Sequence, residues 1–426
     1  MKKIVLITTG QPSANPRLVK EADALQAAGF NVTVLYCFVT NWAVQSDNKL
    51  LHHVQWKYKL AGGSPGKYHW QYSFTLLRSK LSRILMRFTG TRFLLAERIQ
   101  ARAFDELLKA AKKIKADWYI GHNLGAIAVA VKAAKFHGTK AGFDFEDYHR
   151  GELAAEDKQA LQRVIYLENK YVPSLSYFSA SSEMITEAVK KDHHRFQQHT
   201  ASPDHDLKPA GITNPPLASG GGWATIRNCF PLTQQPVFKK KHEDDTSLHL
   251  FWFSQTIGIN RGLEAVVNAL QILNDPCIHL TLAGRCDEKM TNYIKMHGDK
   301  IIDNIHFAGI IQPEELPSFS ARFDVGLSLE LKTPLNRDIC LTNKIFTYLL
   351  AGNAIILSET SMQAAFNNVY QVGQSFACSD EGALKYKITY YQNRANLNAQ
   401  KLHNYKLAGT HLNWEKESRK LLAIIN

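Results

Sequence analysis

The chain has 426 residues, 51 of them Lys or Arg and 38 Asp or Glu, for a formal net charge of +13. With 45% hydrophobic and 21% charged residues it has the composition of a soluble globular protein of two or three domains, which excludes disorder, collagen and small disulfide scaffolds. The positive balance asks for an anionic partner: nucleic acid, an acidic lipid surface or a phosphorylated small molecule.

The amino terminus begins like a signal peptide, but its apolar run stops after residues 4–7, short of the stretch such a peptide needs. No segment reaches the ~20 apolar residues of a spanning helix. Six dispersed cysteines (Cys37, Cys229, Cys277, Cys286, Cys340 and Cys378) include no C-x-x-C pair, which argues against a zinc ribbon and for a reducing compartment. A cytoplasmic protein is expected.

Residues 4–7 read as a buried parallel strand, and Pro16 sits at the first turn of a helix carrying Leu18, Ala22 and Leu25. Gly29 ends that helix before a strand at 32–36. The next stretch, 67–104, holds eight basic residues (Lys67, Arg78, Lys80, Arg83, Arg87, Arg92, Arg98, Arg102) and one acid, Glu97. Leu77, Leu81, Ile84, Leu85 and Phe88 form an apolar stripe at helical spacing, with Lys80, Arg83 and Arg87 beside it. That pattern suits a helix lying on an anionic membrane. At about 1 kcal/mol per basic residue, four contacts give about 4 kcal/mol, roughly a thousandfold in partition. The alternative is an ordinary amphipathic helix packed on its domain. No reading helix, RNP-like strand or zinc module accompanies the charge, so nucleic acid is not expected.

Strand, helix and strand repeat at 117–120, 126–136 and 141–144. A charged, proline-marked linker at 233–246 then leads into a second block of the same design: strands at 248–253, 279–283, 305–308, 325–329 and 354–357, and a helix at 262–273. Such alternation predicts parallel α/β sheets, here two Rossmann-like domains in tandem rather than one large mixed sheet. The domains are expected at 1–232, completed by about 412–426, and at 247–411. Ligands of such sheets bind beyond the carboxyl ends of the strands. The loops at 9–15, 121–125, 144–151, 254–261, 284–287 and 330–342 therefore matter most, around a cleft between the domains. Neither block carries G-x-G-x-x-G after its first strand, against a nicotinamide dehydrogenase.

Two of these loops suit a diphosphate. Thr342 is placed to cap a helix beginning Asn343-Lys344, whose open N–H groups attract anions. Arg261 precedes another helix, where a positive side chain is disfavoured unless an anion is near.

Asn343-Lys344-Ile345-Phe346-Thr347-Tyr348-Leu349-Leu350-Ala351-Gly352 resembles the "NKxFEYxxAG" segment of GT-B glycosyltransferases of the large retaining family four type. Leu282-Ala283-Gly284, His306-Phe307-Ala308-Gly309, Phe323-Asp324-Val325-Gly326-Leu327-Ser328, Ser181-Ser182-Glu183, Arg227-Asn228-Cys229-Phe230-Pro231 and Asn413-Trp414-Glu415-Lys416-Glu417 resemble further segments in the family's order. The similarity spans nearly the whole chain and is strongest at 248–357. It implies a GT-B fold, with two Rossmann-like domains facing across a cleft and a C-terminal helix crossing back to the first. It further implies transfer of a sugar from a nucleotide-sugar donor to a glycan or lipid-linked acceptor, in cell-surface polysaccharide or glycoconjugate synthesis.

By this resemblance Arg261 holds the donor diphosphate, and Ser254, Gln255, Gly284, Asn343, Lys344 and Thr347 line the donor site. Thr347 stands where the family usually has a glutamate for the ribose, Gln255 is nearest to the family's missing first-loop arginine, and the E-x7-E spacing is absent around Glu330, which is left to offer a carboxylate to the sugar. His122 would meet the transferred sugar, with Gly10, Asn15, Asp144 and Asp147 on the acceptor side. Asp144, Glu146 and Asp147 also look like a D-x-E metal motif, but GT-B enzymes stabilise the leaving diphosphate with helix termini and basic side chains, so neither metal nor cofactor is expected. His52-His53 and His193-His194 show no ligand spacing and read as surface residues. The departures at Thr347 and Gln255 leave two alternatives: a nucleotide-sugar epimerase of the same fold, or a non-catalytic GT-B-like binding protein.

Overall fold

The structure, a computed structural model, describes residues 1–153, 157–193, 222–377 and 380–426. Cys378 and His194 lie outside them. The described residues divide into two compact units, the first holding residues up to 193 with 222–226 and 418–426, the second holding 227–417.

The first unit is built on seven parallel strands: β1 (Lys3–Thr8), β2 (Asn31–Cys37), β3 (Lys57–Ala61), β4 (Trp118–His122), β5 (Lys140–Phe145), β6 (Tyr177–Ala180) and β7 (Gly222–Thr225). Their order in the sheet is β3-β2-β1-β4-β5-β6-β7. Helices cover both faces, so Ile4, Val5, Leu6 and Ile7 of β1 are all fully buried and their unbroken aliphatic run is explained. Helix Pro16–Ala27 buries Leu18, Ala22 and Leu25, and the Asn15 side chain caps it by accepting from the Leu18 N–H at 3.0 Å. Helix Trp414–Ile425 ends within this unit, where Lys2 Nζ donates to the carbonyl of Ile425 at 3.2 Å.

The second unit carries six parallel strands: β8 (Leu248–Ile257), β9 (Ile278–Cys286), β10 (Ile305–Gly309), β11 (Val325–Ser328), β12 (Ala354–Ser358) and β13 (Gly373–Phe376), ordered β10-β9-β8-β11-β12-β13. Leu250, Trp252, Leu280, Leu282, Leu327 and Ile356 anchor its core. Two expected loops turn out to be strand. β8 and β9 remain paired as far as Ile257 and Cys286, past a bulge between Phe253 and Thr256. Gly284 makes this extension feasible: its φ is +137°, and a Cβ there would lie 2.1 Å from the Ser254 carbonyl oxygen.

In each sheet the chain winds outward in both directions from the middle. The reversal falls between β1 and β4 in the first unit and between β8 and β11 in the second. Crevices at such switch points, beyond the carboxyl ends of the strands, are where ligands bind in open α/β sheets.

Candidate functional site

At the first switch point the sequence has buried a knot of charge. Arg17 sits one turn into helix Pro16–Ala27 and reaches Asp144 on β5 through two bonds, Nε to Oδ2 at 2.5 Å and Nη2 to Oδ1 at 2.8 Å. Its third donor meets the Ile226 carbonyl at 2.6 Å, and Ser179 Oγ donates to Asp144 at 2.6 Å. His122 is the last residue of β4, not a loop residue, and is fully buried. Its Nε2 lies 3.3 Å from Glu21 Oε2, close enough for an ion pair but out of line for a hydrogen bond. Nδ1 lies 3.2 Å from Glu146 Oε1 and 3.6 Å from Asp144 Oδ2.

The electrostatics follow from this crowding. Burial works against a charged imidazole, but Glu21, Glu146 and Asp144 outweigh it and raise the His122 pKa to about 10. Burial likewise opposes ionisation of Asp144, yet the Arg17 guanidinium holds its carboxyl below the usual range. With His122 charged, two cations face three carboxylates. Glu21, His122 and Asp144 offer ligand atoms within 4.8 Å of one another, as a metal site would. Arg17 already takes both oxygens of Asp144 and occupies the place of a cation there.

The outer rim of this knot is where a ligand would be met. Glu146 is partly exposed and also accepts from Asn15 Nδ2 at 2.6 Å. Gly10 and Asp147 are half-buried on the adjoining turns, Gly10 N–H donating to Thr8 Oγ1 at 3.2 Å. Thr8 in turn donates to Asn123 at 2.7 Å, which holds that residue at a φ of +68°. His193, expected at the surface, is buried instead, beside Arg150 and Glu168, which brace the loop after β5.

The second switch point is more open. Arg261 stands just before Gly262, the N-cap of helix Leu263–Leu273, instead of inside its first turn. It is half-buried, and neither an ion pair nor a hydrogen bond holds its guanidinium. The loop after β11 is tied to this one by Arg337 Nη1, which donates to the Asn260 carbonyl at 3.1 Å. That second loop leads into helix Asn343–Ala351. Thr342 takes the N-cap position with extended backbone, as expected, but its hydroxyl makes no capping bond and is buried without a partner. The N–H groups of the first turn are therefore not satisfied from within by their cap.

Other expected donor residues are placed less evenly. Lys344 and Glu330 are both buried and joined, Nζ to Oε1 at 2.8 Å, and the Glu330 N–H donates to Ser358 Oγ at 2.8 Å. Lys344 is thus engaged by a carboxylate instead of projecting as a loose charge. Asn343 is exposed and accepts from Asn228. Thr347 is fully buried, and its hydroxyl donates to the Asn343 carbonyl one turn back at 3.0 Å. Gln255 is exposed on β8, and Ser254 and Gly284 are half-buried around the bulge.

No family model matches the sequence, and no curated protein matches it. Solved structures match over its full length. HepE of Anabaena, in complex with UDP-glucose, superposes with a TM-score of 0.66 at 12% identity over 99% of both chains. Sucrose-phosphate synthase of Thermosynechococcus elongatus gives 0.68 at 13% identity over 100% of this chain and 98% of the other. TarM of S. aureus, in a complex that includes UDP, gives 0.63 at 10% identity over 100% of both. The fold is GT-B.

Within this GT-B framework three residues went unnoticed as site candidates in the sequence: Arg17, Glu21 and Arg337. Arg17 and Glu21 are charged residues on the buried face of a helix, one turn apart, and that misplacement was the available signal. Arg337 left none, because its partner is a backbone carbonyl 77 positions away.

Proposed function

We propose that this protein is a glycosyltransferase that moves a sugar from a nucleotide-sugar donor to a glycan or lipid-linked acceptor, with retention, in cell-surface polysaccharide or glycoconjugate synthesis. The observation that carries this reading is the second switch point: an arginine without a partner, on the loop beside one that leads to a helix whose cap leaves its first N–H groups open. That is the equipment for a diphosphate, which gains charge-assisted bonds from both.

Arg261 and the turn at Asn343 hold the departing diphosphate. Ser254, Gln255 and Gly284 border the nucleotide, and Thr347 acts on it only by shaping the Asn343 turn. The buried Lys344–Glu330 pair fixes the floor, so that Glu330 can present a carboxylate edge to the sugar. On the acceptor side His122 works as a buried imidazolium that orients Glu146, while Gly10, Asn15, Asp144 and Asp147 shape the rim. No resident metal or cofactor is needed, since Arg17 supplies the cation at Asp144. The protein works in the cytoplasm at an anionic membrane surface, met through residues 67–104. Among the described residues no helix is long and apolar enough to cross a membrane.

The test is a melting screen against UDP, GDP, CMP and ADP sugars, since a ligand at 100 times its Kd adds about 2.7 kcal/mol of stability. For the sugar that binds, Arg261→Ala should lower turnover by roughly 10²–10³-fold. An unchanged rate removes that role.

A further inference from the structure

Helix His69–Thr89 is amphipathic in the inverted sense. Thr75, Ser79 and Ser82, three and four residues apart, form the side buried against the first unit. Arg102 reaches Thr75 Oγ1 and, through its other donors, the carbonyls of Gly62 and Phe38 at 3.0 Å each. Arg78 binds Glu106 Oε1 at 2.9 Å. The helix is thus held by its polar side, and its apolar side is left outward: Trp70 is 87% exposed, Phe88 82%, and Phe74, Leu77, Leu81, Ile84 and Leu85 between 49% and 59%. A hydrophobic stripe of six turns in water marks an interaction surface.

The charge beside that stripe says what covers it. Of the eight basic residues at 67–104, Arg78, Arg98 and Arg102 are engaged inside the unit. Lys67, Lys80, Arg83, Arg87 and Arg92 are exposed, and no acidic side chain pairs with them. The helix itself contains no Asp or Glu. A second copy would bring five more like charges to the same face and be repelled. At the start of the helix, Lys67, Tyr68 and Gln71 line a hollow of about 430 Å³ whose rim adds Lys59, Lys109 and Lys113.

We propose that this face docks on a bilayer of anionic phospholipid, with the apolar stripe inserted at the boundary of head groups and acyl chains. This deepens the membrane association given above, which otherwise rests on charge alone. The stripe supplies the binding, and Lys80, Arg83, Arg87 and Arg92 select anionic lipid by meeting its phosphates. The hollow beside Lys67 and Tyr68 receives one head group. Insertion requires no refolding, because the side that faces lipid is already free of protein contact.

The experiment is flotation of the full chain with vesicles of phosphatidylglycerol and phosphatidylcholine, against vesicles of phosphatidylcholine alone. Flotation needs no turnover, so it reads docking even if every nucleotide sugar fails. The wild type should float with the anionic vesicles and keep a salt-resistant fraction there. Arg83→Glu with Arg87→Glu should weaken partition roughly 30-fold, from about 1 kcal/mol per charge. Leu81→Ser, Ile84→Ser and Phe88→Ser together should abolish the salt-resistant fraction while leaving the melting temperature unchanged, because these side chains pack on nothing. Vesicles should shift wild-type tryptophan emission to the blue, and Trp70→Phe should lose that shift. Docking is overturned if the wild type stays at the bottom of the gradient. It is equally overturned if the serine variant floats like wild type, or if the stripe proves in sedimentation to hold two copies together.

Discussion

The two switch points of this molecule handle charge in opposite ways. In the first unit every strong charge finds a counter-charge inside the fold: Arg17 on Asp144, His122 among Glu21, Asp144 and Glu146. In the second, Lys344 and Glu330 pair off, but Arg261 does not, and the Thr342 hydroxyl has no partner. Self-sufficient charge builds a rigid floor, and leaving one of its members alone is expensive. Unanswered positive charge beside open N–H groups is a vacancy for an external anion. The contrast assigns shape to one edge and donor binding to the other.

The contrast is sharpest where it can be broken. Arg17→Met would leave Asp144 buried without its cation and should destabilise the first unit by about 3–5 kcal/mol, read in urea unfolding. A small loss there would mean that the knot is not holding the sheet edge. Gly284→Ala tests the second edge, where the Ser254 carbonyl fills the space that a Cβ needs. It should cost about 1–3 kcal/mol and loosen the bulged end of β8 and β9, visible as faster amide exchange at Thr256 and Arg285.

The subtlest difference is in pH. His122 is raised from 6.5 to about 10, so its folded form binds the proton more tightly than the unfolded chain does. Its stabilising contribution is complete below about 6.5 and disappears as pH climbs toward 10. Asp144, depressed below its ordinary 3.8, contributes above that value and stops contributing in acid. The melting temperature should therefore fall between pH 7 and 10, and His122→Gln should flatten that limb. A wild-type curve that is already flat would show that the imidazole is neutral.

The central strands were readable because both their faces are covered, which forces an unbroken aliphatic run in β1, β8 and β12. Helix starts were readable from Asn15 with Pro16, and ends from Gly29 and Gly352, whose φ angles of +89° and +73° suit glycine. Short β3, β7 and β13 were not, since Lys57–Ala61, Gly222–Thr225 and Gly373–Phe376 carry no apolar run to announce them. At the site the sequence shows residue types but not partners. Arg17 and Asp144 are 127 positions apart, and only the fold brings them to 2.5 Å. The stripe of Leu77, Leu81, Ile84, Leu85 and Phe88 was plain, but periodicity cannot say whether a stripe faces the core or the solvent. Thr75, Ser79 and Ser82, small enough for close approach, decided it.

The most direct measurement is calorimetric titration of a nucleotide diphosphate sugar into the wild type and Arg261→Ala. One charge-assisted bond is worth about 1.5–3 kcal/mol, so the variant should bind roughly 10–150-fold more weakly with its melting temperature unchanged. Equal affinity for the two proteins, or no binding by the wild type across uridine, guanosine, cytidine and adenosine donors, would contradict the account.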